Sequence, residues 1–206
     1  MITIAIAKGR MQDSALALLA RAGIRLSEEA VNSRRLALTD ETGQYRFIFV
    51  KPADVPVYVE HGIADCGVVG RDVLLESEAD LLLPLDLGIG RCRIVVAAAD
   101  AEAMTNVQGM IRVATKYSQI ASAHFGSRGI PVEIIQLSGS VELAPALGLA
   151  DMIVDLVETG RTLRENGLTV VEEIAESTGR LVVNRASYQL KAKEVAALVS
   201  ALKSTI

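Results

Sequence analysis

Aromatic side chains are scarce in this chain: three Phe, four Tyr and no Trp among 206 residues. Half of the residues are nonetheless hydrophobic, so the core must be aliphatic, as in α/β proteins rich in Val, Ile, Leu and Ala. The two cysteines, Cys66 and Cys92, stand far apart with no metal-ligand or redox spacing and read as buried free thiols. The two histidines, His61 and His124, are equally isolated, each expected at a helix end or on the surface. So few His and Cys argue against a transition-metal centre or a nucleophilic triad, and no metal-ligating residue is assigned. No apolar run reaches the roughly 18 residues that span a bilayer. Met1 leads straight into a strand rather than a signal peptide, so the expectation is a cytoplasmic protein away from membranes. Positive charge is in deficit, with a net charge of −4, which argues against nonspecific nucleic-acid binding.

What is present is an alternation of strand and helix patterns. Ile2–Ala7 is an apolar strand and Met11–Ala22 carries a helical stripe. Leu36–Thr39 and Tyr45–Val50 flank the turn 40–43 like a hairpin. A helix over Pro52–His61, a strand over Ile63–Val69, a helix over Arg71–Ser77 and a strand over Leu81–Leu87 follow. A second series starts at Arg91–Ala98. It continues through strand Ile111–Thr115, helix Tyr117–Arg128, strand Pro131–Gln136, a helix over Val141–Leu147, strand Met152–Val157 and a helix after Thr159. The late strands, Thr169–Ser177 and Leu181–Asn184, have few partners in that series. They are expected to cross back to the first lobe, ahead of an amphipathic helix over Ala186–Leu202. The predicted class is α/β, with two lobes and a central cleft. One lobe is 1–90 plus 178–206, and the other is 91–177.

The most informative stretch is Asp155-Leu-Val-Glu158-Thr159-Gly160-Arg161-Thr162. A buried strand ends in a glycine turn and a helix begins, an arrangement that favours a phosphate. Asp155 on the strand can accept hydrogen bonds from ribose hydroxyls. The same tetrapeptide also fits an ordinary strand-turn-helix. Lys8-Gly9-Arg10 follows the first strand and suits a polyphosphate; a solvated basic turn is the alternative. Lys51 is placed to reach the same edge. Ser138-Gly139-Ser140-Val141-Glu142 opens a helix that Ser140 can cap, either as a nucleotide-contacting loop or as a plain cap. Gly67-Val-Val-Gly70-Arg71-Asp72 lines the cleft or forms a tight turn.

Taken in order, these pieces resemble the ATP phosphoribosyltransferase family, which opens histidine biosynthesis. The motifs are Ala7-Lys8-Gly9-Arg10, Asp65-Cys-Gly-Val-Val-Gly70-Arg-Asp72, Arg112-Val-Ala-Thr-Lys116-Tyr117, Ser138–Glu142 and Asp155–Leu163. The resemblance implies two lobes like those of type II periplasmic binding proteins. It implies Mg²⁺-dependent transfer of the phosphoribosyl group of phosphoribosyl diphosphate (PRPP) to N1 of ATP, with release of pyrophosphate. It assigns Asp155 to the ribose hydroxyls and Glu158, Thr159, Gly160, Arg161 and Thr162 to the 5-phosphate. Lys8, Arg10 and Lys51 are expected on pyrophosphate or the ATP phosphates, and Gly9, Ser140, Val141 and Glu142 on the ATP side. Mg²⁺ is expected to travel on substrate phosphates.

The chain ends at Ile206, where long family members continue into a regulatory domain. The short form implies a separate regulatory subunit similar to histidyl-tRNA synthetase, with this chain a homodimer inside a hetero-oligomer. Two rivals remain at this point: a salvage phosphoribosyltransferase, which places adjacent acidic residues before its turn, and a two-lobed anion-binding protein without chemistry.

Overall fold

The computed structural model describes residues 1–26, 37–100 and 109–206. The chain divides into two compact units, 1–90 with 178–206, and 91–177. The start of the expected strand at Leu36 lies outside the described residues.

In the first unit, β1 (Ile2–Ala7), β3 (Tyr45–Val50) and β4 (Cys66–Gly70) run parallel, with β2 (Ala37–Thr39) antiparallel at one end. Of the late strands, β11 (Gly179–Val183) enters this sheet, antiparallel to β4 and to β5 (Leu82–Asp86). The sheet order is β2-β3-β1-β4-β11-β5. Strand alternation gives each face its own character. Ile2, Ile4 and Ile6 of β1 pack under α1 (Gln12–Arg21) and α8 (Ala192–Lys203), against Leu18, Leu19, Val195, Leu198 and Leu202. Ala5 and Ala7 face the opposite side with Val55 and Val59 of α2 (Asp54–Glu60). Each large aliphatic side chain buried this way contributes about 1.5–3 kcal/mol. Small residues on the α2 side let that helix sit close. A Cβ added at Gly67 would lie 2.7 Å from Val55 and 2.9 Å from Val59. Gly67 is therefore a packing glycine, and β4 leads directly into α3 (Arg71–Ser77) at Gly70.

In the second unit the order is β10-β6-β9-β7-β8. The strands β7 (Ile111–Thr115), β8 (Val132–Gln136) and β9 (Met152–Val157) are parallel, and β6 (Cys92–Ala98) is antiparallel to β9. The first late strand corrects the expectation. β10 (Thr169–Ser177) stays here, antiparallel to β6 along its length and bent by two register shifts. The edge of β6 supplied the partner that the sequence pattern did not reveal. One face packs on α4 (Ser118–Gly126) through Ile120, Ala121 and Phe125. The other packs on α5 (Leu143–Ala146) and α6 (Arg161–Glu165) through Ala144, Val141 and Leu163.

Two further expectations shift. The strand expected from Ile63 begins at Cys66, because Asp65 turns inward, with one carboxylate oxygen accepting the Thr3 amide at 2.9 Å. The single C-terminal helix is two, α7 (Arg185–Leu190) and α8, broken at Lys191 with φ −119° and ψ 36°. There the ammonium reaches both Asp65 oxygens, at 2.8 and 2.7 Å. Cys66 and Cys92 are buried and form no disulfide, and burial pushes the Cys66 thiol up to about 12. His61 closes α2, and His124 lies in the last turn of α4 with Nε2 at 3.3 Å from Glu172.

Candidate functional site

The turns that the sequence singles out lie at the carboxyl ends of parallel strands, where open α/β sheets bind ligands. In the first unit Ala7 and Val50 are registered neighbours at the ends of β1 and β3. The Lys8 amide donates to the Val50 carbonyl at 2.8 Å. Lys8 and Lys51 therefore leave the sheet side by side, both exposed. Gly9 sits at φ +93°, a left-handed turn that glycine takes without strain, and its carbonyl accepts the Gln12 amide at the start of α1. Arg10 Nη1 donates to the Gly90 carbonyl at 3.2 Å. Lys8, Gly9, Arg10 and Lys51 thus gather in this unit.

In the second unit, Glu158 and Thr159 follow β9, and Gly160 takes φ +72° ahead of α6. A Cβ on Gly160 would meet Arg164 Nη1 at 3.1 Å. Arg164 Nη1 donates to the Thr159 carbonyl at 3.1 Å, and Asn166 Nδ2 to the Thr162 carbonyl at 2.9 Å. These bonds brace the turn from its own helix. The Arg161 amide donates to Thr159 Oγ1 at 3.4 Å, and its guanidinium is engaged by Glu165 at 2.7 Å. No side chain caps α6 and no acidic residue occupies its first turn.

Asp155 lies two residues before Val157 on the strand face that carries Ile153 and Val157. Its Oδ1 is buried and accepts no hydrogen bond among the described residues. Burial raises its carboxyl above the usual range and the nearby Glu142 adds to this, while the Leu156 amide and Lys116 pull the other way. Lys116 Nζ stands 3.9 Å from Oδ1 and 4.9 Å above the Tyr117 ring. Asp155, Glu142 and the Glu158–Thr162 turn therefore share one edge of the second sheet.

The Ser138–Glu142 turn differs from its expected form. Ser140 does not cap a helix. It holds φ +51°, a strained setting for a residue with a Cβ. Glu142 occupies the cap position, two residues later, without a side-chain cap bond, and α5 is a single turn. Val141 is buried with Ile153 and Val157, so only its backbone can meet a ligand.

Lys116 is the residue to which the sequence reading gave no task. A signal existed. Lys8, Lys51 and Lys116 each stand one residue after a parallel strand, following Ala7, Val50 and Thr115. Asp151 is committed elsewhere, as its carboxylate takes the Arg112 guanidinium at 2.8 Å and the Arg112 amide at 2.8 Å. The paired acidic residues of a salvage enzyme are therefore not formed by Asp151 and Asp155.

The family model described as "HisG: ATP phosphoribosyltransferase" matches residues 51–204. An ATP phosphoribosyltransferase of Sorangium cellulosum is 51% identical over 98% of this chain and 95% of its own. The chain belongs to the ATP phosphoribosyltransferase family. It is a pentosyl-transferring enzyme of the first step of histidine biosynthesis. Among solved structures, the ATP phosphoribosyl transferase (HisG:HisZ) complex from Thermotoga maritima matches with a TM-score of 0.87 at 36% identity, covering 100% of this chain and 98% of that one. The periplasmic aliphatic sulphonate binding protein SsuA of Escherichia coli matches with a TM-score of 0.61 at 13% identity, covering 99% of this chain and 72% of that one. That second likeness shows the periplasmic-binding-protein-like fold alone.

Proposed function

We propose that Asp155 and the Glu158–Thr162 turn hold the ribose 5-phosphate of PRPP, and that Lys8, Arg10 and Lys51 serve its pyrophosphate or the ATP triphosphate. The buried Oδ1 of Asp155, with no donor of its own, carries this reading. A buried acceptor left unmade costs about 1–3 kcal/mol, and a ribose hydroxyl is a donor of the right kind. The Glu158–Thr162 turn, three to seven residues further along the chain at the same sheet edge, suits the 5-phosphate of the same ribose. In the same reading Gly9, Ser140, the Val141 backbone and Glu142 serve the ATP side.

The reaction joins adenine N1 of ATP to C1 of PRPP as the C1–O bond to pyrophosphate breaks, with inversion at C1. Positive charge grows on the ribose and negative charge on the leaving pyrophosphate. No covalent nucleophile is needed. The chain's tasks are to hold two polyanions in line and to neutralise the leaving group. Three lysine and arginine side chains at one sheet edge suit the second task, and a buried carboxylate beside the ribose suits the developing cation. Mg²⁺ would be carried on the pyrophosphate oxygens of the substrate, since it usually binds through substrate phosphates.

Among the described residues no helix is long and apolar enough to cross a membrane, and a biosynthetic enzyme that draws on ATP fits the cytoplasm. A regulatory subunit similar to histidyl-tRNA synthetase is part of the same proposal, with this chain a homodimer within the hetero-oligomer. Its support is the match over 98% of the chain in the Thermotoga maritima HisG:HisZ complex. Titration calorimetry with PRPP and Mg²⁺ tests the site. Asp155→Asn should weaken binding at least about tenfold while keeping the thermal transition. Wild-type affinity in that variant would remove Asp155 from the ribose.

A further inference from the structure

We propose that Lys116 is a positioning residue for PRPP, holding the Asp155 carboxylate negative and free to accept the ribose hydroxyls while touching no reacting atom itself. The proposal rests on the reading of Asp155 given above.

Register places the two groups together. Thr115 of β7 pairs with Val154 of β9, so Lys116, just past the end of β7, follows in register beside Asp155 of β9. Thr115 then pins both backbones. Its hydroxyl donates to the Val154 carbonyl at 2.7 Å and accepts the Tyr117 amide at 2.8 Å. The lysine stem rises beside a buried aromatic ring, with Nζ 4.9 Å from the Tyr117 centroid. The ammonium is thereby preorganised near the carboxylate before any ligand arrives.

The spacing has a functional consequence. At 3.9 Å from Oδ1, Nζ lies beyond a tight hydrogen bond. It supplies field without occupying the lone pairs, and Oδ1 keeps its acceptor capacity for a hydroxyl. That field opposes two influences. Burial disfavours the charged carboxylate, and Glu142 adds like charge. Arg93 also lies on this strand pair, opposite Val157, but it is engaged by Glu173 at 3.2 Å. Among the described residues Lys116 is therefore the cation that acts on Asp155. A protonated Asp155 would itself be a donor and would accept fewer ribose hydroxyl bonds.

The test separates this role from a direct phosphate contact. The Asp155 side-chain carbon is followed by ¹³C NMR across pH in the ligand-free full chain, for wild type, Lys116→Met, Lys116→Arg and Glu142→Gln. In parallel, kcat/KM for PRPP is measured at pH 6 and pH 8.5. In Lys116→Met the carboxyl should titrate at higher pH. Its loss of kcat/KM should be greater at the acidic than at the alkaline pH. Lys116→Arg should restore both, and Glu142→Gln should move the titration the opposite way. An Asp155 titration unmoved by Lys116→Met, or a loss of kcat/KM equal at both pH values, would overturn the proposal. The carboxyl titration needs no substrate, so its outcome is independent of whether Asp155→Asn binds PRPP.

Discussion

Lys8 and Lys51 stand next to each other at the carboxyl edge of the first sheet, because Ala7 and Val50 are paired and the Lys8 amide donates to the Val50 carbonyl at 2.8 Å. Two like charges placed together cost free energy in the ligand-free chain, a cost that a polyanion relieves. Replacing Lys8, Arg10 or Lys51 singly by Met should lower kcat/KM at least about tenfold, about 1.4 kcal/mol of transition-state stabilisation. Steady-state kinetics at fixed ionic strength measure this. Near-wild-type values in all three variants would make them ordinary surface charges.

Gly160→Val should damage both fold and binding. Its φ of +72° is a left-handed setting, and a Cβ would stand 3.1 Å from Arg164 Nη1. A β-branched residue there costs about 1–3 kcal/mol of strain. It would also displace the guanidinium that braces the Thr159 carbonyl. PRPP affinity should fall at least about tenfold, with Gly160→Ala milder, as read by calorimetry beside thermal unfolding. Unchanged affinity in a folded Gly160→Val protein would take the phosphate away from this turn.

Acid stability should depend on Asp65. Burial raises its carboxyl, but the Lys191, Thr3 and Ser187 hydrogen bonds outweigh burial and hold it below its ordinary value of 3.8. The unfolded chain thus takes up the proton first as pH falls. The contribution is complete above the ordinary value and is lost as pH falls through the lower folded one. Lys191→Met leaves the carboxylate buried without its cation. It should destabilise by about 2 kcal/mol near neutral pH, a figure reduced for the partial exposure of Lys191. The gap to wild type should narrow below about pH 4. Urea titrations at several pH values test this, and a gap constant with pH would deny the pair its role.

Histidine should act through the partner. The isolated chain should resist histidine at a concentration that inhibits the complex with the synthetase-like subunit, because an effector shifts only an equilibrium whose states it binds unequally. Assays with and without the partner decide the matter. Full inhibition of the chain alone would place the regulatory site here.

The strands of this protein and its glycine turns are written locally. The apolar run Ile2–Ala7 and the sequence of strand, Gly160 and helix after Asp155 depend on side-chain period and on residues a few positions apart, so the chain alone reveals them. The family itself was legible in the same motifs. Other features depend on partners distant in sequence. That β10 remains beside β6 and that helix geometry breaks at Lys191 over Asp65 were decided by packing between segments many tens of residues apart, and that Val141 is buried by its packing against Ile153 and Val157 of β9. The meeting of Lys116 with Asp155 is of the same kind. Asp155 can be placed on its strand and Lys116 just past its own from sequence, but only the Thr115–Val154 register brings ammonium and carboxylate within 3.9 Å. A slip of one residue would turn every side chain of β7 to the other face and separate them.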